Sequence, residues 1–205
     1  MPKAPRSYRV TLRQIDAARR VFEAHEPRDL FYRAATELVS LALQRNTSLS
    51  LAEALAVLLQ TWNTAFYRFI TRFDKKHFSD IERLIRKHRH ALLLLRGRAI
   101  PTFSEVDRAR VETLFADLER VLGPVGAAKS LHLLAPHFFP LWDGKIAKAY
   151  CVALGKRGCN AERYCRFMTI AQQQYRSLRS KRRKKWNPLK AIDEYNYCKH
   201  TRGWM

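Results

Sequence analysis

The chain is short of breakers, of acid and of sulfur. Only 7 glycines and 8 prolines punctuate 205 residues. Alternating β-branched stretches are scarce, which excludes turn-dense β architectures and favours helix. The longest aliphatic run covers only residues 91–95, against the ~20 residues that a membrane-crossing helix needs. The opening MPKAPRSYRV holds no apolar stretch of the kind a secretory signal requires. The 4 cysteines form no CxxC pair, so a reduced, cytoplasmic protein is expected. No internal repeat is found. Acid is the largest deficit: 18 Asp and Glu stand against 39 Lys and Arg, a formal charge of +21.

What is present bounds the answer. Hydrophobic residues make up 47%, enough for a sizeable core, so wholesale disorder is excluded. The length fits one domain, or two lobes around a shared cleft. A charge of this size costs self-repulsion in the compact state and points to a polyanionic partner, nucleic acid ahead of a membrane surface.

The pattern predicts an all-α chain. Leu12, Ile15 and Phe22 start one stripe; Pro27 restarts the chain; Leu30, Phe31, Ala34, Leu38 and Leu41 carry a second. Ser50 and Glu53 form a capping box ahead of a mostly apolar helix through Phe69. Ser79 and Glu82 form another, opening a helix to about Arg96. Ser104 precedes a helix striped by Val111, Leu114, Phe115 and Leu118, which Gly123 stops. Asp143 and Asn160 stand at further helix starts, and Asn187-Pro188 opens a last helix over about 188–200. Cys151 and Cys165 fall at apolar helix positions. His132 and His137 read as surface or phosphate contacts, and His77, His88 and His90 as solvated. Residues 176–185, RSLRSKRRKK, carry seven basic side chains and no acid. Arg182, Arg183 and Lys184 are the phosphate contacts expected there, although a solvated face has the same composition.

The most informative stretch is 121–150, VLGPVGAAKSLHLLAPHFFPLWDGKIAKAY. It reads helix, glycine-containing turn, helix, loop, then Asp at a helix start. It resembles the helix-hairpin-helix element of the DNA glycosylase superfamily that includes endonuclease III, the adenine mismatch glycosylase and the 8-oxoguanine glycosylases. The family hairpin reads Leu-Pro-Gly-Val-Gly, and this chain has Leu122-Gly123-Pro124-Val125-Gly126. The family's catalytic Asp lies in a Val-Asp-x-x-Val/Ile setting, matched here by Trp142-Asp143-Gly144-Lys145-Ile146. The resemblance implies a two-lobed all-α fold. It also implies a hairpin (Gly123, Val125, Gly126, with Lys129 and Lys145) that grips a DNA backbone, and a carboxylate, Asp143, that stabilises a cationic sugar or activates water. Upstream, Gln60-Thr61-Trp62-Asn63 is similar to the family's Gln-rich turn, which fills the gap left by a flipped base. Gln60 or Asn63 is the expected wedge, Trp62 a stacking group, and Trp142 a pocket wall or a core anchor.

Three departures limit the transfer. Pro124 stands where the family has its first glycine and offers no N–H. The family's Schiff-base lysine falls at Ala128, and Lys129 is one residue, about 100° of helix, further on. A monofunctional hydrolase acting through Asp143 is therefore favoured over a lyase using Lys129. The cysteine spacing, C-x7-C-x5-C with Cys198 far downstream, lacks the x2 step of the family's iron–sulfur site, so no cluster, zinc or other cofactor is expected. The expected partner is double-stranded DNA, bound by a monomer with no membrane. The excised base is open: oxidised, alkylated, mismatched or hypermodified. The alternative is a helix-hairpin-helix module that binds DNA or RNA without chemistry.

Overall fold

A computed structural model describes residues 8–44, 46–178 and 186–205. Among them there is no strand, in keeping with the all-α expectation, and no helix is long and apolar enough to cross a membrane. The helices are α1 (Leu12–His25), α2 (Asp29–Ala42), α3 (Leu51–Trp62), α4 (Thr64–Phe69), α5 (Lys75–Arg96), α6 (Glu105–Leu134), α7 (Gly144–Ala149), α8 (Ala161–Leu178) and α9 (Pro188–Asn196). A 3-10 turn, Ile100–Thr102, precedes α6, and a π-helical turn, Tyr197–Arg202, extends α9.

The starts follow from side chains that satisfy orphan backbone N–H groups. Ser50 Oγ accepts from Glu53 N at 3.1 Å while Glu53 returns a carboxylate oxygen to Ser50 N at 2.7 Å. Asn187 accepts from Leu189 N at 2.9 Å, with Pro188 at the position where a missing N–H costs nothing. Two boundaries differ from the sequence reading. The helix α5 opens at Lys75, because Asp74 caps His77 N at 2.8 Å and leaves Ser79 inside the first turns. The apolar run 51–69 is not one helix. It breaks at Asn63 (φ −113°, ψ 29°), whose buried side chain turns to donate to Leu122 O at 3.3 Å.

One core runs through the molecule. α2 packs on α3, α1 on α9, and α6 on both α5 and α8. Its centre is aromatic: Tyr164 stacks on Phe115 at 4.4 Å, with Trp142 and Phe139 beside it. Each such ring contributes about 1.5–3 kcal/mol by burial. Tyr164 keeps its hydroxyl satisfied by donating to Pro140 O at 2.8 Å, which ties α8 to the loop that leads to Asp143.

The break in α6 positions everything downstream. Gly123 has φ 69° and ψ 169°, a conformation that side chains resist, and Pro124 opens the second half of the helix. The halves, 105–122 and 124–134, meet under α4. A Cβ on Gly123 would lie 2.9 Å from the Phe66 ring, and one on Gly126 would lie 2.7 Å from Asn63 Nδ2. Gly126→Ala is therefore expected to destabilise by about 1–3 kcal/mol, as overpacking does. Thermal unfolding checks this; an unchanged midpoint would mean that α4 yields without cost.

Candidate active site

The end of α1, the end of α3, the second half of α6, the loop before α7 and the α9 helix with the turn beyond it converge on one pocket. Its cavity volume is about 80 Å³ and it is partly open to solvent, smaller than the few hundred Å³ usual for small-molecule sites. Its lining is Phe22, Glu26, Arg28, Trp62, Lys129, Leu141, Trp142, Asp143, Asp193 and Tyr197. Four sequence-predicted residues, Asp143, Lys129, Trp62 and Trp142, thus meet in space.

Asp143 caps α7: one carboxylate oxygen accepts from Ile146 N at 2.8 Å. The other accepts from Thr201 Oγ at 2.9 Å. Anchored at both oxygens, the carboxylate has a fixed orientation at the pocket wall.

Lys129 is the main surprise. The sequence reading turned it away from Asp143, but it lines the same pocket. Ala128 and Lys129 lie in the same half-helix past the Gly123 break, so the offset between them stands; here Ala128 packs in the core and the pocket lies on the Lys129 side. The amine donates to the Trp62 carbonyl and sits 5.5 Å from the Trp62 ring centroid. Burial pulls its pKa down to about 8, against the pull of the Asp193 and Asp143 charges. A second buried lysine makes the contrast. Lys190 is paired with Asp29 at 3.0 Å and Glu194 at 3.2 Å, behind the aromatic layer of Phe22 and Tyr32. Among the described residues Lys129 has no carboxylate at ion-pair distance.

Asp193 was not singled out from the sequence. Burial pushes its pKa up to about 7, with the neighbouring Asp143 and Glu194 charges adding and Lys190 and Lys129 opposing. A signal was present: Asp193 lies four residues after Leu189 and beside Ile192, a carboxylate within the apolar stripe of its helix. Glu26 was missed as well. It accepts from Arg28 at 2.8 Å and from Tyr197 Oη at 2.6 Å, and the Arg28 contact holds its pKa near 2. This pair forms a charged rim.

Trp62 is a fixed wall. Its indole N–H donates to Arg28 O at 2.8 Å, and its ring stacks on Tyr32 at 5.5 Å. Trp142 also reaches the pocket, but its ring is 1% exposed and belongs to the aromatic core, its N–H without a hydrogen-bond partner among the described residues.

Other expected residues lie elsewhere. Gln60 is exposed at the end of α3, and Asn63 is buried against the α6 break. Gly123 and Gly126 are buried under α4, and Val125 is half-buried. Lys145 is exposed and donates to Thr201 O at 2.9 Å. Arg182, Arg183 and Lys184 lie outside the described residues.

The histidine reading needs correction. His132 is fully buried: Nδ1 donates to Phe139 O at 2.7 Å, Nε2 accepts from Tyr32 Oη at 3.0 Å, and burial depresses its pKa to about 3. It is a neutral core bridge, unable to contact phosphate. His77 is buried against Tyr67, and His88 contacts Asp117 at 2.8 Å, so neither is solvated. Cys165 is buried in α8, whereas Cys151 is exposed past the end of α7 with φ 58°, because Val152 N closes the turn onto Ala147 O. Among the described residues no group of three or more His, Cys, Asp or Glu could hold a metal ion.

Comparison with protein-family models, curated proteins and solved structures finds no match for this chain.

Proposed function

We propose that the chain is a DNA glycosylase of the helix-hairpin-helix type, which extrudes a base from duplex DNA and cleaves its N-glycosidic bond. The observation that carries this reading is the pocket itself. A buried amine of lowered pKa, a doubly anchored carboxylate and an aromatic wall meet beside a glycine break, on a chain of charge +21. Perturbed titratable groups in a cleft are what acid–base and nucleophilic chemistry requires.

In this reading the extruded base enters against Trp62. Asp143 faces the sugar and stabilises positive charge as the bond to the base lengthens. The neutral Lys129 amine attacks C1′. The C1′–N bond to the base breaks, its electron pair leaves with the base, and the amine proton passes to the Asp193 carboxylate. The nitrogen lone pair then forms a C1′=N bond as the C1′–O4′ bond opens and O4′ takes the proton held by Asp193, which leaves a Schiff base that borohydride reduces to a stable adduct. The lysine lining the pocket moves the balance from the hydrolytic mechanism favoured by the motif to a covalent one.

The test is a panel of duplexes with oxidised, alkylated, mismatched and hypermodified bases. Each is incubated with the protein and then treated with alkali, in parallel with borohydride. Strand breaks at one class of lesion, with a trapped protein–DNA adduct, are expected. Breaks only after alkali, with nothing trapped, would return the mechanism to hydrolysis through Asp143. Binding without breaks across the panel would leave the non-enzymatic binding module.

A further inference from the structure

A flipped base leaves a gap that some side chain must fill, and the residues expected for it are not well placed: Gln60 is exposed but lines neither the pocket nor the groove beside it. Asn63 is buried and committed to Leu122 O. Trp62 is pinned by its own N–H and by Tyr32. The surface beside them offers something else. Phe69 and Ile70, at the end of α4, are 74% and 63% exposed. Phe69 is the one aromatic among the exposed large hydrophobic side chains of the described residues. Large apolar groups left in water on a monomer mark a contact surface.

Its neighbours say which contact. A groove lined by α4 and the Gly123 turn contains Phe69 and Ile70 and shares Arg28, Trp62 and Lys129 with the pocket. The exposed pair therefore stands at the pocket's own mouth. Arg68, which lies over the Phe69 ring, and Arg72, Lys75 and Lys76 flank it in the chain, all exposed, and Asp74, the one acid among residues 68–76, spends its carboxylate capping α5. A chain of +21 presenting its apolar tip beside a run of cations is ill suited to pair with a second copy of itself. It is well suited to a stack of bases flanked by phosphates.

We infer that Phe69 and Ile70 form an apolar wedge that enters the base stack of duplex DNA next to the extruded nucleotide, with Arg68, Arg72, Lys75 and Lys76 on the flanking phosphates. This rests on the base-excision reading only for the identity of the extruded base. Wedge residues of this kind unstack a step and hold it open. α4 carries Phe69 in its last turn with Ile70 just beyond, and Phe66 seats the helix against Gly123.

The experiment uses the full chain and a duplex with 2-aminopurine in a central mismatch, whose fluorescence rises when the base leaves the stack. The wild-type protein is expected to brighten the reporter. Phe69→Ala/Ile70→Ala is expected to bind about tenfold more weakly and to lose most of the brightening even at saturation. Its thermal midpoint should be unchanged, since both side chains are in water. Phe69→Trp/Ile70→Leu should restore the signal. A double-alanine variant that brightens the reporter as wild type does at saturation overturns the wedge. So does a wild-type protein that binds without brightening, or a wild-type dimer that the double variant converts to monomer in sedimentation. Brightening by wild type with no excision on any altered base would sink the glycosylase reading and leave the wedge standing.

Discussion

Lys129→Met is expected to abolish the borohydride-trapped adduct and, at the same time, to raise the melting temperature at neutral pH. The two effects share a cause. In the unfolded chain the amine titrates near 10.5, and in the fold burial lowers this to about 8. The folded state therefore disfavours the protonated form. Below pH 8 the amine is protonated in both states and the whole penalty applies, on the order of 3 kcal/mol at ~1.4 kcal/mol per unit. The lost contacts to Trp62 offset part of it, so a net gain of about 1–2 kcal/mol is expected. Between pH 8 and 10.5 the unfolded chain binds a proton that the fold does not, so wild-type stability rises with pH and the gap to the variant closes. Unfolding midpoints at pH 7 and pH 10, beside the trapping assay, test both halves. A methionine variant less stable than wild type at pH 7, or one that is still trapped, defeats the assignment. In wild type the rate is expected to rise with pH through 7 to 8, as Asp193 ionises to accept the proton and Lys129 loses its own.

Asp143→Asn is expected to slow excision about 10²–10³-fold, the usual loss when a charge aimed at a developing cation is removed, with stability unchanged within about 0.5 kcal/mol. Asparagine caps a helix as well as aspartate does, so the bond from Ile146 N to Oδ1 survives, and Nδ2 can donate to the Thr201 hydroxyl, which accepts in place of donating. Only the charge is gone. Asp143→Ala separates the roles, because it loses the cap as well and should cost about 1 kcal/mol in addition to the rate. Single-turnover rates and thermal unfolding of the two variants decide this. Excision at the wild-type rate by Asp143→Asn would move the cation-stabilising role to Asp193, because Glu26, the third carboxylate in the pocket, is committed to Arg28.

The helices were largely legible because their caps are local chemistry: Ser50 with Glu53, Ser104 and Asn187 act within one turn of themselves. The misreadings came where a distant partner intervenes. Asn63 breaks an apolar run because the Leu122 carbonyl is there to receive it, and nothing in residues 51–69 announces that. His132 reads as a surface group until Tyr32, a hundred residues away in the chain, closes over it. Of the site, Asp143 was legible from its place at a helix start, and Trp62 from its apolar context. Lys129 was misjudged because the Ala128 position was taken as the one that faces Asp143, whereas Ala128 packs in the core and the pocket opens on the Lys129 side. Asp193 and Glu26 were invisible because their importance comes from what α1 and α9 bury together.

The pocket draws on α1, the end of α3, the second half of α6, the loop before α7, and α9. One oxygen of Asp143 is held by Thr201, 58 residues later. No contiguous half of the chain contains it. A folding intermediate lacking the docked α9 would keep much of its helix yet have no fourth wall, no Asp193 and a half-anchored Asp143. Catalysis should therefore return only with the last docking event during refolding, later than circular dichroism reports. On the proposed reading, base excision then becomes a clock for the completion of the topology.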